Sequence, residues 1–246
     1  DIHGGGRDLI FPHHENEIAQ SEAHSDGKFA KIWMHVGMVT ITGEKMSKSL
    51  GNTKSIKHVL ENWGPNIIRL FCLSGHYSKV IDYSEEMLKE NLTKWRQVET
   101  CYFELIHANS NQQEDISDKI RNISSEFDNS LEDDLNTHLA VSAFFELVKE
   151  TNRLAAEEKL GIKNRSIIKK EFDRITKILG LNIPEMSEEE KQKIDNLISN
   201  RKECRDKKQF EEADKIRDQL NEMNIELIDH KGKTIWMKKE KIKSEK

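Results

Sequence analysis

The chain has few cysteines and no long apolar run. Its 246 residues hold three cysteines, Cys72, Cys101 and Cys204. They lie so far apart that neither a disulfide framework nor a Cys-x-x-Cys metal knuckle is available. That usage fits a reducing compartment, and the cytoplasm is the expected location. No stretch reaches the roughly 18 consecutive apolar residues of a membrane span, so neither a spanning helix nor a secretory leader is expected. No internal repeat is visible. His14-Glu15 opens the zinc-protease pattern His-Glu-x-x-His, but Ile18 stands where the second histidine is needed, which excludes that chemistry. A large excess of one sign of charge is also lacking, with a formal net of −5. The exception is the tail: residues 191–246 carry 16 Lys/Arg against 12 Asp/Glu. An RNA backbone would use such an excess, and salt-bridged helix faces would account for it equally well.

What is present begins with Lys45-Met46-Ser47-Lys48-Ser49. Two lysines separated by small or flexible residues, just after Gly43, form a cationic clamp for a polyphosphate, with the hydroxyls of Ser47 and Ser49 beside them. A leaving pyrophosphate gathers negative charge, and fixed ammonium groups stabilise it better than water does. A solvated basic turn is the competing reading of the pentapeptide alone. The run from Val36 to Thr42 before it reads as a strand. Farther upstream, Asp1-Ile2-His3 followed by Gly4-Gly5-Gly6 reads as a strand end entering a ligand-facing loop, with the glycines admitting close approach. Pro12 suits the first turn of a helix, and His13 and Glu17, four apart, then share one face. Such a pair either charges a helix start or supplies half of a zinc site.

Asp1-Ile2-His3-Gly4-Gly5-Gly6, Phe11-Pro12-His13-His14-Glu15-Asn16-Glu17 and the lysine loop, in this order, resemble the cysteinyl-tRNA synthetase family of class I aminoacyl-tRNA synthetases. The likeness continues through Gly75-His76-Tyr77, Asp82-Tyr83-Ser84 and Asp133-Asp134-Leu135-Asn136-Thr137 to Gly232-Lys233-Thr234-Ile235-Trp236. It implies an α/β Rossmann-type catalytic half-domain, then a mostly α-helical bundle and a small α+β C-terminal module. It also implies ATP with Mg2+, L-cysteine and tRNA(Cys) as substrates and partners, and one zinc ion selecting the cysteine thiolate. By carry-over, Lys48, supported by Lys45, contacts the triphosphate, with Met46 and Ser47 in the same loop. Asp8 takes the ribose hydroxyls, Gly4 and Gly6 face ATP, His3 lies near the amino acid, and His13 with Glu17 ligate zinc. In this family a first half-domain with a His-x-Gly-His motif and two zinc cysteines precedes such a segment. The expectation is therefore either a longer protein or a non-catalytic tRNA-binding fragment. A cysteine:amino-sugar ligase of mycothiol synthesis is the other alternative, and it has no use for an anticodon module.

Beyond Asn52 the periodicity turns helical. Ser55 caps a helix that Gly64-Pro65 stops, and a second helix follows. Residues 75–84 read as a polar loop ending in Ser84, the cap of a long helix to about Ala108. Helices are expected over Ile120–Leu131, Leu139–Ala156 and Ile167–Leu179, with Asp133-Asp134 capping a helix from about Thr137, and an antiparallel bundle is the economical architecture. Ser187 and Glu190 form a capping box, a second helix carries Phe210 to Met223, and strands Ile225–Ile228 and Thr234–Trp236 flank a Lys231-Gly232 turn. Trp236 either stacks on unpaired bases or packs in the core. The expected division is 1–54 catalytic, 55–84 stem contact, 85–186 helical bundle and 187–246 anticodon module. No long exposed apolar stripe asks for a partner helix, so a monomer is expected.

Overall fold

Strand β1, Ile2–Gly6, pairs in parallel with β2, Ile32–Val36, Ile2 facing Ile32 and Gly6 facing Val36. A computed structural model gives this architecture; it describes residues 1–41, 43–45, 54–108, 110–112, 114–183, 187–230 and 233–243. Parallel neighbours need a long crossover, and the intervening chain supplies it with α1, Glu15–Ser25. The three glycines belong to β1 and not to a loop after it, because their backbone is paired with Met34, His35 and Val36. Pro12 likewise precedes the regular helix, in a wider turn over Ile10–His14.

The expected Val36–Thr42 strand is divided. β2 ends at Val36 and β3 covers Val39–Ile41. Between them Gly37 passes so close to the Lys79 carbonyl that a Cβ would collide with it. β3 is the centre of a three-stranded sheet, antiparallel to β4, Glu44–Lys45, and parallel to β5, Ile81–Tyr83. β5 lies inside the segment expected to be loop.

Among the described residues five helices share the main core. α2, Ile56–Leu73, is capped by the Ser55 hydroxyl, which accepts from the His58 N–H. Its two arms meet at Gly64, where φ of 76° and ψ of 165° break the helix before Pro65. α3, Glu85–His107, starts at Ser84, whose hydroxyl accepts from the Met87 N–H. α4, Ser117–Glu132, α5, Thr137–Ala156, and α6, Ile162–Leu179, complete the set. Trp95, Phe127, Phe144 and Phe172 are fully buried among them. Each such ring removes a large apolar area from water, which is the main favourable term for this core. The cap of α5 is Asn136, accepting from the Leu139 N–H, and not Asp133-Asp134, since Asp134 and Leu135 turn into the left-handed region.

The C-terminal unit has its own small core. α7, Glu188–Asp206, begins with the reciprocal Ser187–Glu190 capping box. α8, Phe210–Glu222, and the antiparallel hairpin of β6, Ile225–His230, and β7, Lys233–Lys238, follow. Ile194, Leu220 and Ile225 form the centre, with Trp236 against them. The Trp236 N–H is spent on Asp195 at 2.8 Å. The turn at 231–232 lies outside the described residues.

Candidate active site

The two parallel strands and α1 bring a histidine cluster together. Alternation along β1 places His3 on the same face as Gly5, and alternation along β2 places Trp33 and His35 on one face. α1 and the turn before it supply His13, His14 and Glu17. His3 Nε2 lies 2.9 Å from Glu17 Oε2, and His13 Nε2 lies 3.5 Å from Glu17 Oε1. His14 is 3% exposed, and its Nδ1 is 2.9 Å from His35 Nε2. The Trp33 ring stacks on His35 with 5.9 Å between centroids and 11° between planes, and it also meets His3 and His14.

Gly5 makes this arrangement possible. A Cβ there would lie 2.6 Å from the His14 ring, too close for any carbon–carbon contact. Burial lowers the His14 pKa, and the neighbouring His35 lowers it further, so the neutral ring is favoured. A neutral imidazole can donate from one nitrogen and accept at the other, which suits the bond to His35 and is also the form that binds metals.

His3, His14 and Glu17 offer ligand atoms that all lie within 4.8 Å of one another. Glu17 Oε2 is buried and makes no aligned hydrogen bond despite the nearby His3 nitrogen. A cation would satisfy that oxygen. Ligands 2.0–2.2 Å from a tetrahedral zinc are about 3.4 Å apart, close to the His13–Glu17 separation. The donor set of nitrogen and carboxylate oxygen therefore fits zinc, and Glu17 is common to both histidine combinations.

The other expected site residues are distributed around this cluster. Gly4 and Gly6 lie on β1, and Asp8 occupies the single turn Arg7–Leu9, with its carboxylate where a Gly6 Cβ would need to be. Lys45 ends β4. Met46, Ser47 and Lys48 lie outside the described residues. Sequence reasoning overlooked Trp33 and His35, although their two-residue spacing on a strand was a signal that they share a face with each other.

The chain is similar to known proteins in both sequence and fold. Residues 1–93 match the model of the class I (C) tRNA synthetase catalytic domain, and residues 126–183 match the DALR domain. The fold resembles the LeuRS of Agrobacterium radiobacter, solved in a ternary complex with tRNA and LeuAMS. The TM-score is 0.57 at 16% identity, covering 74% of this chain and 25% of that one. It also resembles methionyl-tRNA synthetase of Mycobacterium tuberculosis, solved with methionyl-adenylate, at a TM-score of 0.52 and 17% identity over 72% of this chain and 39% of that one. Fold and domain content are those of a class I aminoacyl-tRNA synthetase. Two similar relatives are the cysteine–tRNA ligases of Bacillus velezensis, 40% identical over 98% of this chain, and Serratia proteamaculans, 41% identical over 97%. Within that class the chain is similar to cysteinyl-tRNA synthetases along nearly its whole length. It spans about half the length of these relatives, 53% and 52% respectively.

Proposed function

We propose that the protein activates L-cysteine with ATP, as its Mg2+ complex, to cysteinyl-adenylate and transfers the cysteinyl group to tRNA(Cys). The observation that carries this reading is the match to proteins named cysteine–tRNA ligase, at about 40% identity along nearly the whole chain, C-terminal unit included. The same match favours it over the amino-sugar ligase alternative.

The substrate carboxylate attacks the α-phosphorus in line, and the bond to the leaving pyrophosphate breaks. Lys48, with Lys45 beside it, stabilises the charge that grows on the leaving oxygens, and Met46 and Ser47 belong to the same ATP-binding loop. Asp8 accepts hydrogen bonds from the ribose hydroxyls, Gly4 and Gly6 leave the backbone open to ATP, and His3 orients the amino acid. Catalysis is positioning and charge stabilisation, with no covalent intermediate on the protein. His13 and Glu17 hold zinc in this scheme, a role supported by their 3.5 Å separation. When bound, zinc supplies thiolate selectivity, because a soft metal-bound sulfur distinguishes cysteine from serine far better than apolar contacts could.

In the same reading residues 1–54 carry the chemistry, 55–84 dock the inner side of the tRNA, 85–186 form its helical support and 187–246 meet the anticodon. The protein acts as a monomer in the cytoplasm; among the described residues no helix is long and apolar enough to cross a membrane. The test is charging of tRNA(Cys) with labelled cysteine by the intact protein and by Lys48→Ala. The variant should be slower by about 100-fold or more with unchanged zinc content. Equal rates would remove the lysine loop from the mechanism.

A further inference from the structure

We propose that Asp82 is a positioning residue for the lysine-bearing hairpin, fixing β4 and the backbone of Lys45 from the neighbouring strand. This rests on the nucleotide chemistry proposed above. Asp82 belongs to the short strand β5, and register places it directly opposite Thr40 of β3. Its Oδ1 accepts two hydrogen bonds, from the Thr40 hydroxyl at 2.6 Å and from the Gly43 N–H at 2.9 Å. Thr40 is buried, with 9% of its surface exposed.

The second bond gives the contact its function. Ile41 pairs with Glu44 and Thr40 with Lys45, so Gly43 stands in the tight connection between β3 and β4. Gly43 has φ of 77°, in the left-handed region that glycine enters without strain. The described part of β4 is Glu44–Lys45, and among the described residues it pairs with β3. In a hairpin the turn sets how the second strand leaves the first, so the direction of β4 depends on what holds the turn. A carboxylate oxygen shared by the turn amide and a buried hydroxyl is such a hold, and charge-assisted bonds are the stronger kind. Both donors lower the Asp82 pKa, the Thr40 hydroxyl most, as expected when they favour the ionised form.

The anchor also joins two parts of the molecule. Ser84, two residues after Asp82, caps α3, whose Trp95 lies fully buried in the helical core. A displacement of β5 relative to the helices would thus be felt at β4. Asp82 touches no substrate in this account; it acts through Gly43 on the placement of Lys45.

Three forms of the intact protein test this: wild type, Asp82→Ala and Asp82→Asn. Asparagine keeps an oxygen that can accept both bonds, whereas alanine removes it. The first readout is hydrogen exchange at the Gly43 amide, expected to be at least about tenfold faster in Asp82→Ala and near wild type in Asp82→Asn. The second is cysteine-dependent ATP–pyrophosphate exchange. Asp82→Ala should lower kcat by about tenfold or more, with the KM for cysteine unchanged and recovery in Asp82→Asn. Equal Gly43 exchange in all three forms would overturn the anchor. Protected Gly43 exchange lost in Asp82→Ala with unaltered pyrophosphate exchange would overturn its role in positioning. Absence of pyrophosphate exchange in the wild type would instead contradict the proposed function, while the Gly43 amide would still decide whether the anchor exists.

Discussion

Gly5 shapes the site through the side chain it lacks. Its missing Cβ lets the His14 ring occupy the space 2.6 Å from where that carbon would stand, and so reach His35 at 2.9 Å. Gly5→Ala should therefore push His14 off His35 and cost about 1–3 kcal/mol, in the range of small-to-large substitutions in packed interiors. Urea unfolding of the variant would measure it; wild-type stability would show that the ring yields without loss. The glycine triplet was conspicuous in the sequence, but its role was not. A run of three glycines reads as loop because glycine is costly in a strand, and only the pairing with β2 shows that the strand continues. The approach of His13 to Glu17 was legible from their four-residue spacing, which holds across the turn Ile10–His14 into α1. His35 was not, because its partner His14 comes from a different element.

At the scale of elements, the helices and the C-terminal hairpin were legible and the short strand β5 was not. Ser55, Ser84 and Ser187 each cap a helix as their positions suggested, since a cap is a local bond between residues three apart. Ile81-Asp82-Tyr83 is too short for its alternation to register, and its partner β3 lies about forty residues earlier in the chain. The start of α6 at Ile162, a turn earlier than the apolar stripe suggested, follows from an exposed first turn that carries no core residues until Asn164. Glu150 on α5 gives a test at this scale. Its carboxylate is 7% exposed and accepts from Arg153 and from Lys119, which lower its pKa to about 2. A depressed carboxylate stabilises the fold above its unfolded pKa, and that contribution fades as pH falls toward the folded value. Glu150→Gln should lose about 1–3 kcal/mol near neutral pH, with the gap to wild type narrowing below about pH 4. Thermal unfolding across pH would show this, and a gap independent of pH would contradict it.

At the scale of the whole molecule, the C-terminal unit is tied back to the helical bundle by residues 239–242. The Glu240 N–H donates to Glu99 Oε1 at 2.7 Å, its carbonyl accepts from Arg96 at 3.2 Å, and its Oε2 accepts from Asn66 at 2.7 Å. Ile242, 5% exposed, enters the main core beside the Gly64 break in α2. The order of units was legible in the sequence, while this return was not, because its polar partners lie some 140 to 174 residues earlier. Spin labels on exposed Cys72 and half-buried Cys204 can read it. Cys101 is buried with its thiol pushed up to about 12, so it does not compete for the label. The double substitution Glu240→Ala with Ile242→Ala should broaden the Cys72–Cys204 distance distribution, and an unchanged distribution would show that other contacts hold the unit. The central claim is met most directly by ATP–pyrophosphate exchange with the intact protein, comparing cysteine and serine as the added amino acid. The account predicts exchange that depends on cysteine and is lost on zinc removal, with serine at least about 1000-fold poorer. No cysteine-dependent exchange, or equal exchange with serine, would contradict it.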